Sequence, residues 1–212
     1  RPKALNALNL NMAIQFSDKL KEWESDNKIK RVLLLGEGKH FCAGGDVKSV
    51  HLSGPFSKLK REFFSKEYSL NLQIKNFPKP YLSIWKGVVM GGGVGLSIYG
   101  DYRIATDSTK FAMPETSIGF FPDVGGSFFL AKLENNLGKY LGLTGEIVQG
   151  KDLLNFNLAT HYCPENKINN LISQFITDGS ITNYEIENSS FFTDEKIDFI
   201  DKNFSGDIHE IF

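Results

Sequence analysis

Two carboxylates in this chain stand beside an unusual amount of glycine. Residues 88–126 read VVMGGGVGLSIYGDYRIATDSTKFAMPETSIGFFPDVGG, and Glu115 and Asp123 follow a glycine-rich stretch at 90–95, the second glycine loop. Another such stretch, CAGGD at 42–46, is the first glycine loop. Because glycine has no Cβ, its backbone N–H can approach a ligand closely. The combination suggests chemistry in which amides hold an oxygen while carboxylates attack carbon or move protons.

Both glycine loops are predicted to follow a strand, the first after residues 32–35 and the second after residues 80–85. Loops that follow parallel strands gather at the carboxyl edge of the sheet, where ligands bind. One N–H from each loop can then converge on a substrate oxygen and form an oxyanion hole. The competing interpretation is that these glycines only permit tight turns. Two such loops after successive strands favour the oxyanion hole.

Glu115 follows Pro114 in FAMPE, at the end of an apolar stretch and close to Met113 and Phe120. Such surroundings desolvate a carboxylate and raise its pKa, which makes Glu115 a candidate acid, base or nucleophile. The alternative is a solvated turn residue. Asp123 precedes VGGSFFLAKL, a predicted helix. From the residues alone, capping that helix is the favoured role for Asp123.

Other reactive residue types fit known motifs less well. The sequence GGGVGL lacks the spacing of either nucleotide phosphate loop, and Ser97 lies in GLSIY rather than in G-x-S-x-G. Cys42 is predicted to be a buried packing residue. His40 and Cys42 are near each other, but no second pair completes a set of metal ligands. His161 and Cys163, in ATHYCP, are predicted to be core residues at the end of a strand.

Composition excludes several classes of protein. The 212 residues are 41% hydrophobic, with a net charge of -1 and no cluster of basic residues that would indicate nucleic-acid binding. No uncharged apolar run approaches the length of a membrane span. Two distant cysteines fit a reducing compartment. The chain opens at Arg1 with no targeting segment, and we expect it to be a trimmed piece of a longer protein.

Strand and helix patterns alternate along the chain. Apolar residues Met12, Phe16, Leu20 and Trp23 form one stripe of a helix, and residues 57–75 are also helical in pattern. Short apolar runs predict strands at 32–35, at 80–85, at YRIAT (102–106) and at KFAMPE (110–115). We expect the strand at 32–35 to be buried on both faces. This alternation predicts an α/β fold with a largely parallel sheet. A change of composition after Asp178 divides the chain into a domain at 1–177 and the start of a C-terminal helical region at 178–212.

The order of several motifs resembles a known superfamily. RPKALNAL, FCAGGD, GVVMGGGVGL and FAMPETSIGFFPDVGG are similar to the crotonase (enoyl-CoA hydratase/isomerase) superfamily, and the likeness extends from Arg1 to about Pro164. The resemblance implies a ββα superhelix, a spiral of largely parallel strands and helices. Within the superfamily the chain is most similar to hydrolases of 3-hydroxyisobutyryl-CoA in valine breakdown. This resemblance implies an acyl-CoA thioester as substrate, no cofactor beyond the CoA of that substrate, no metal and a mitochondrial location. Homo-oligomerisation is left open.

The resemblance also assigns roles to individual residues. It implies that the N–H groups of Gly45 and Gly92 form the oxyanion hole, that Glu115 is the catalytic glutamate, and that Asp123 is the aspartate found in the hydrolases. Glu67, in KEYSLN, matches a glutamate that contacts substrate. Two further positions, Lys3 and Lys48, lie where members of the superfamily meet the CoA phosphates.

Gly95 is an informative departure from the hydratases of the superfamily. Those enzymes carry a second glutamate at this position, and adding water across a double bond needs an acid and a base on either side of that water. Together, Gly95 and Asp123 favour thioester hydrolysis. Three alternatives remain open at this point. One is another crotonase reaction, such as hydration or isomerisation of an enoyl-CoA. The second is hydrolysis of a different thioester, such as 3-hydroxypropionyl-CoA, which differs by one methyl group, and the third is a non-catalytic scaffold that binds CoA thioesters.

Overall fold

The computed structural model describes residues 1–187 and 190–211. Its strands are β1 Val32–Leu35, β2 Tyr81–Trp85, β3 Val88–Met90, β4 Tyr102–Ala105, β5 Lys110–Ala112, β6 Val148–Gln149 and β7 His161–Tyr162. Its helices are α1 Leu10–Ser25, α2 Val47–Leu52, α3 Lys58–Lys75, α4 Gly92–Gly95, α5 Gly126–Leu130, α6 Leu137–Thr144, α7 Asp152–Asn155, α8 Ile168–Thr177, α9 Asp194–Asn203 and α10 Ile208–Ile211. Short 3₁₀ helices cover Pro2–Ala4, Glu115–Ile118 and Glu165–Lys167. Among the described residues, no helix is long and apolar enough to cross a membrane.

The larger sheet is parallel throughout, in the order β1-β2-β4-β7. All five residues of β2 are buried, as its apolar sequence predicts. The expectation that β1 is buried on both faces is wrong, because only Val32 is buried, the next two residues are half-buried and Leu35 is 49% exposed. Strand β1 lies at the edge of the sheet with a neighbouring strand on one side only, which leaves it less covered than the central β2.

A second, three-stranded sheet has the order β3-β5-β6. Strand β3 begins three residues after β2 ends, with a turn at Gly87, and the sequence analysis did not separate the two. The second glycine loop therefore follows β3 and belongs to this smaller sheet, so the two glycine loops do not follow neighbouring strands of one sheet. They meet for another reason: the first glycine loop runs beside β3, with a parallel bridge between Cys42 and Val89.

Helices α1 and α3 pack side by side against the core. The predicted apolar stripe of α1 is confirmed, since Leu20 is fully buried and Met12, Phe16 and Trp23 pack on the same core. The side chain of Ser57 caps α3 by accepting a hydrogen bond from the N–H of Leu59. This placement matters for function because α3 carries Glu67 and Tyr68 along one side of the glycine loops.

The segment after Asp178 packs onto the preceding fold. Phe192 and Ile200 are buried in the main hydrophobic cluster, and Phe204 lies partly buried against it. Helix α9 contacts α6. The domain boundary between residues 177 and 178 stays a prediction. Apolar contacts across this boundary pack the helical segment against the rest of the described chain.

Candidate active site

The first glycine loop is fixed from both sides by backbone hydrogen bonds. On one side, the N–H of Cys42 donates to the carbonyl of Val88 (3.1 Å). On the other, the N–H of Leu8 donates to the carbonyl of Gly44 (2.8 Å), and the N–H of Asp46 donates to the carbonyl of Leu8 (2.7 Å). The loop is therefore held as an irregular strand between the N-terminal segment and β3.

Gly45 in this loop lies against Gly92, the first residue of α4. A methyl group placed on Gly92 would be 2.9 Å from the amide nitrogen of Gly45 and 3.2 Å from the carbonyl carbon of Gly44. Neither the Gly45 nor the Gly92 N–H donates a hydrogen bond within the described part of the chain. For Gly92 this follows from its position, because the first N–H groups of a helix have no partner inside it. The two amides can hold one oxygen between them.

Bare backbone is required here because carboxyl groups fill the remaining space. Gly91 has a φ of 47°, a conformation that favours glycine, and a methyl group on it would lie 2.6 Å from Oε1 of Glu115. A methyl group on Gly92 would overlap Oε1 of Glu67. One carboxyl group therefore lies on each side of the paired amides.

Glu115 is positioned by the turn of the backbone after β5. The 3₁₀ helix Glu115–Ile118 begins there, and the side chain of Glu115 is 8% exposed. The alternative of a solvated turn residue is therefore wrong. Its Oε2 atom is buried and has no hydrogen-bond partner among the described residues. An unpaired carboxylate oxygen beside two free amides is available to attack a bound carbonyl or to take a proton from water.

Asp123 does not cap the helix that follows it, so the capping interpretation is wrong. Helix α5 begins at Gly126, its N-cap is Gly125, and no side chain caps it. The Asp123 carboxylate instead accepts a hydrogen bond of 2.8 Å from the hydroxyl of Tyr68 on α3. No motif in the sequence marks Tyr68, although it is adjacent to Glu67 in the chain.

The three carboxyl groups of Glu67, Glu115 and Asp123 influence one another. Burial raises the pKa of Glu67 to about 8, with further increases from the negative charges of Asp123 and Glu115. Burial also raises the pKa of Glu115 to about 7, and the charge of Asp123 adds to this while a backbone hydrogen bond opposes it. Burial raises the pKa of Asp123 as well, partly offset by the Tyr68 hydroxyl. At neutral pH the cluster therefore retains protons, above all on Glu67.

Space beside Gly95 is already occupied. A methyl group on Gly95 would lie 2.7 Å from Cβ of Val124 and 2.8 Å from Nδ2 of Asn71. Val124 itself has a φ of 45°, which is strained for a β-branched residue, and the hydroxyl of Tyr99 donates to its carbonyl (2.8 Å). A second glutamate at position 95 does not fit this arrangement.

The carboxyl cluster and the glycine loops line a cavity of about 480 Å³, which we call the acyl pocket. Its walls include the aromatic rings of Phe63, Phe64 and Phe120. Lys3 and Lys48 are both exposed and do not line this pocket, so their contact with CoA phosphates stays a prediction. Lys60 and His51 do line it, and the sequence analysis missed them because no motif marks them.

The remaining candidates from the sequence are structural. Burial raises the pKa of the Cys42 thiol to about 11, which keeps it protonated and unreactive. The Ser97 hydroxyl is fully buried and donates to the carbonyl of Gly93 within its own helical turn. His161 lies in β7, as expected for a strand residue. The described residues contain no group of three or more His, Cys, Asp or Glu side chains that could hold a metal ion.

Comparison with known proteins identifies the family to which this site belongs. A family model described as enoyl-CoA hydratase/isomerase matches residues 1–211. The chain belongs to this family. The resemblance seen in the glycine loops and in FAMPETSIGFFPDVGG is thereby confirmed.

Curated relatives within the enoyl-CoA hydratase/isomerase family share nearly half of their aligned residues with the chain. The mitochondrial 3-hydroxyisobutyryl-CoA hydrolase of Danio rerio is 47% identical over 81% of this chain and 45% of its own length. The corresponding protein of Homo sapiens is 41% identical over 99% of this chain and 55% of its own length. The chain thus spans about half the length of the curated relatives it matches.

Solved structures confirm the fold of the family. A carnitinyl-CoA dehydratase from Mycobacterium thermoresistibile superimposes with a TM-score of 0.91 at 39% identity, covering 100% of this chain and 64% of that one. An enoyl-CoA hydratase from Rhodobacter sphaeroides gives 0.93 at 34% identity, covering 100% and 63%. The predicted α/β crotonase-like fold is therefore correct.

Proposed function

We propose that this chain carries the active site of a hydrolase that cleaves a short 3-hydroxyacyl-CoA thioester, with 3-hydroxyisobutyryl-CoA as the substrate. The proposal rests on the arrangement of the acyl pocket, in which Glu115 and Asp123 lie beside two unpaired amides. In addition, a second glutamate does not fit at position 95. The relatives named 3-hydroxyisobutyryl-CoA hydrolase support the same reaction.

In this mechanism the thioester oxygen lies between the N–H groups of Gly45 and Gly92. Attack on the carbonyl carbon converts that oxygen to an oxyanion, and the two hydrogen bonds strengthen in the transition state. Glu115 either attacks the carbon itself, giving a mixed anhydride that water then hydrolyses, or removes a proton from the attacking water. Both routes need Glu115 in its ionised form.

The other two carboxyl groups of the cluster serve the substrate and the leaving group. Asp123 binds the 3-hydroxyl or assists proton transfer to the departing CoA thiolate. Glu67 retains its proton at neutral pH because its pKa is about 8, so its O–H can donate a hydrogen bond to the substrate. Lys3 and Lys48, together with Lys60, are the candidates for the CoA phosphates.

The cellular setting of the proposal comes from the relatives. Those named above are described as mitochondrial, which supports a mitochondrial role in valine breakdown. We propose that the reaction needs water and the CoA thioester alone, with no metal and no other cofactor. Assembly into a homo-oligomer is left open by the residues described.

Release of free thiol tests the proposal directly. Purified protein with 3-hydroxyisobutyryl-CoA should liberate CoA thiol, measured with a chromogenic disulfide, and should yield 3-hydroxyisobutyrate. Acetyl-CoA is the matched control, because it has the thioester but no hydroxyl for Asp123 to bind. Thiol release no faster than the uncatalysed reaction would contradict the proposal.

Hydration of an enoyl-CoA is the second candidate function. It is favoured by the two structural relatives, which are described as a dehydratase and a hydratase at 39% and 34% identity. The absorbance of the conjugated enoyl thioester falls on hydration, so a spectrophotometric assay separates the two reactions. Because a second glutamate does not fit at position 95, we expect hydrolysis to dominate.

The pH dependence of hydrolysis should report the ionisation of Glu115. Since the ionised form is required and its pKa is about 7, kcat should rise with pH through about 7. Asp123→Asn should move this rise to lower pH, because the negative charge of Asp123 is one cause of the raised pKa. Rates measured from pH 5 to 9 for both proteins test this, and an acid limb that stays in place in the variant would contradict it.

A further inference from the structure

A second cavity, partly open to solvent, lies beside the turn that carries Asp123. It has a volume of about 320 Å³ and is lined by Tyr68, Asn71, Leu72, Val124 and Phe128, among others. Asp123 lines the acyl pocket but not this cavity, and Tyr68 lines this cavity but not the acyl pocket. The hydrogen bond from the Tyr68 hydroxyl to Asp123 therefore forms part of the wall between them.

Other contacts keep this wall in place. The ring of Tyr68 lies beside that of Phe64 at 5.9 Å, and Phe64 in turn stacks on Phe120 at 5.8 Å, so the ring is continuous with the aromatic side of the acyl pocket. On the opposite side, the hydroxyl of Tyr99 holds the carbonyl of Val124. The turn that carries Asp123 is thus held by the hydroxyls of Tyr68, on α3, and of Tyr99, in the turn after α4.

The direction of the substrate follows from the proposed function, on which this inference rests. Carbon 1 of the acyl group lies at the amides of Gly45 and Gly92, and the hydroxyl on carbon 3 reaches Asp123. A longer acyl chain continues past Asp123, whose carboxylate is in contact with the hydroxyl of Tyr68.

We propose that Tyr68 determines acyl-chain length, because its side chain separates the acyl pocket from the second cavity and so restricts the enzyme to short 3-hydroxyacyl groups. Without the Tyr68 ring the two cavities join, and a longer alkyl chain extends over Leu72, Val124 and Phe128. Burial of the additional methylene groups of the longer acyl chain then favours the longer substrate.

Two substitutions separate the ring from its hydroxyl. Tyr68→Ala removes the ring and the hydrogen bond, whereas Tyr68→Phe removes only the hydrogen bond. The side chain of Tyr68 is 39% exposed, so neither change leaves a large internal void. The readout is the ratio of kcat/KM for 3-hydroxyoctanoyl-CoA to that for 3-hydroxybutyryl-CoA.

We expect the unaltered protein to prefer the shorter substrate and Tyr68→Ala to raise the ratio at least about tenfold, as loss of a steric barrier in an apolar pocket allows. Tyr68→Phe should slow both substrates alike and leave the ratio unchanged, because only the support of Asp123 is lost. Phe128→Ala is the control variant, since it enlarges the second cavity and leaves the wall intact, and its ratio should not change.

Equal use of both substrates by the unaltered protein would overturn the inference, and so would a Tyr68→Ala ratio that stays at the starting value. A rise of the ratio in Tyr68→Phe as large as in Tyr68→Ala would also overturn it, by showing that the hydrogen bond and not the ring sets the limit. Failure of the proposed function has a different signature, namely no thiol release from either substrate by any of the four proteins.

Discussion

Glu115→Gln should lower kcat for thioester hydrolysis by at least about 10³-fold. The amide has nearly the shape of the carboxylate, but at neutral pH it is neither a nucleophile nor a base. The Gly45 and Gly92 amides are untouched by this change, so the affinity for CoA thioesters should stay close to that of the unaltered protein. Single-turnover thiol release measures the chemistry, and calorimetric titration with the substrate measures the binding.

Glu37→Gln is the matched control, because Glu37 is exposed and lies outside the acyl pocket. It should leave both kcat and binding unchanged. A folded Glu115→Gln protein that keeps a tenth or more of the original kcat would remove Glu115 from the reaction. Loss of binding together with kcat would instead assign Glu115 to holding the substrate.

Gly92→Ala should reduce kcat by roughly 10² to 10³-fold, about the effect of losing one oxyanion donor, because alanine keeps the N–H but displaces it. The added methyl group would overlap Oε1 of Glu67 and lie 2.9 Å from the Gly45 nitrogen, too close for the two amides to keep their spacing. Gly92→Pro would remove the N–H and also introduce the contact with Gly45, so it would not separate these two effects. Gly92→Ala keeps the N–H and tests the positions of the groups around it. The loss should appear mainly in kcat, because the hydrogen bonds strengthen as the oxyanion forms.

Gly142→Ala is the control for adding a methyl group. At Gly142 the nearest atoms would be 3.4 Å and 3.6 Å away, which is ordinary contact, and the residue is in α6 and outside the acyl pocket. Its kcat should be unchanged, and thermal unfolding should show both variants folded. A Gly92→Ala protein with the original kcat would be evidence against an oxyanion hole at this position.

Sequence patterns predict the elements of this fold well where local signals are strong. The stripe of α1, the buried β2 and the helix at 58–75 agree with the patterns of apolar and charged residues in the sequence. The division between β2 and β3 was missed because Lys86 and Gly87, which separate them, do not by themselves show that the second strand joins another sheet. The exposure of Leu35 was missed because strand order is a long-range property that a short run of residues does not encode.

For the candidate site, residue chemistry identified the glycine loops and Glu115, but it misjudged Asp123. The motif proline-aspartate before a helix is typical of an N-cap, and only the position of α3 shows that Tyr68 takes up this carboxylate instead. Likewise, no sequence signal joins Gly95 to Val124, whose side chain closes that space from about thirty residues further along the chain. Both facts depend on how distant segments pack, and the roles of all these residues stay proposals.

The buried carboxyl cluster has a consequence for the folding equilibrium. In the unfolded chain Glu67 and Glu115 ionise near their ordinary pKa of 4.5, whereas in the folded protein their pKa values rise to about 8 and about 7. A folded state that binds protons more tightly than the unfolded state becomes less stable as pH rises between these values. The contribution of the cluster to stability is therefore fully present below about pH 4.5 and is lost progressively up to about pH 8. Ionisation of Glu115, which the proposed mechanism requires, therefore also destabilises the fold around it. A higher pH favours the proposed reaction, whereas a lower pH increases the contribution of this cluster to stability.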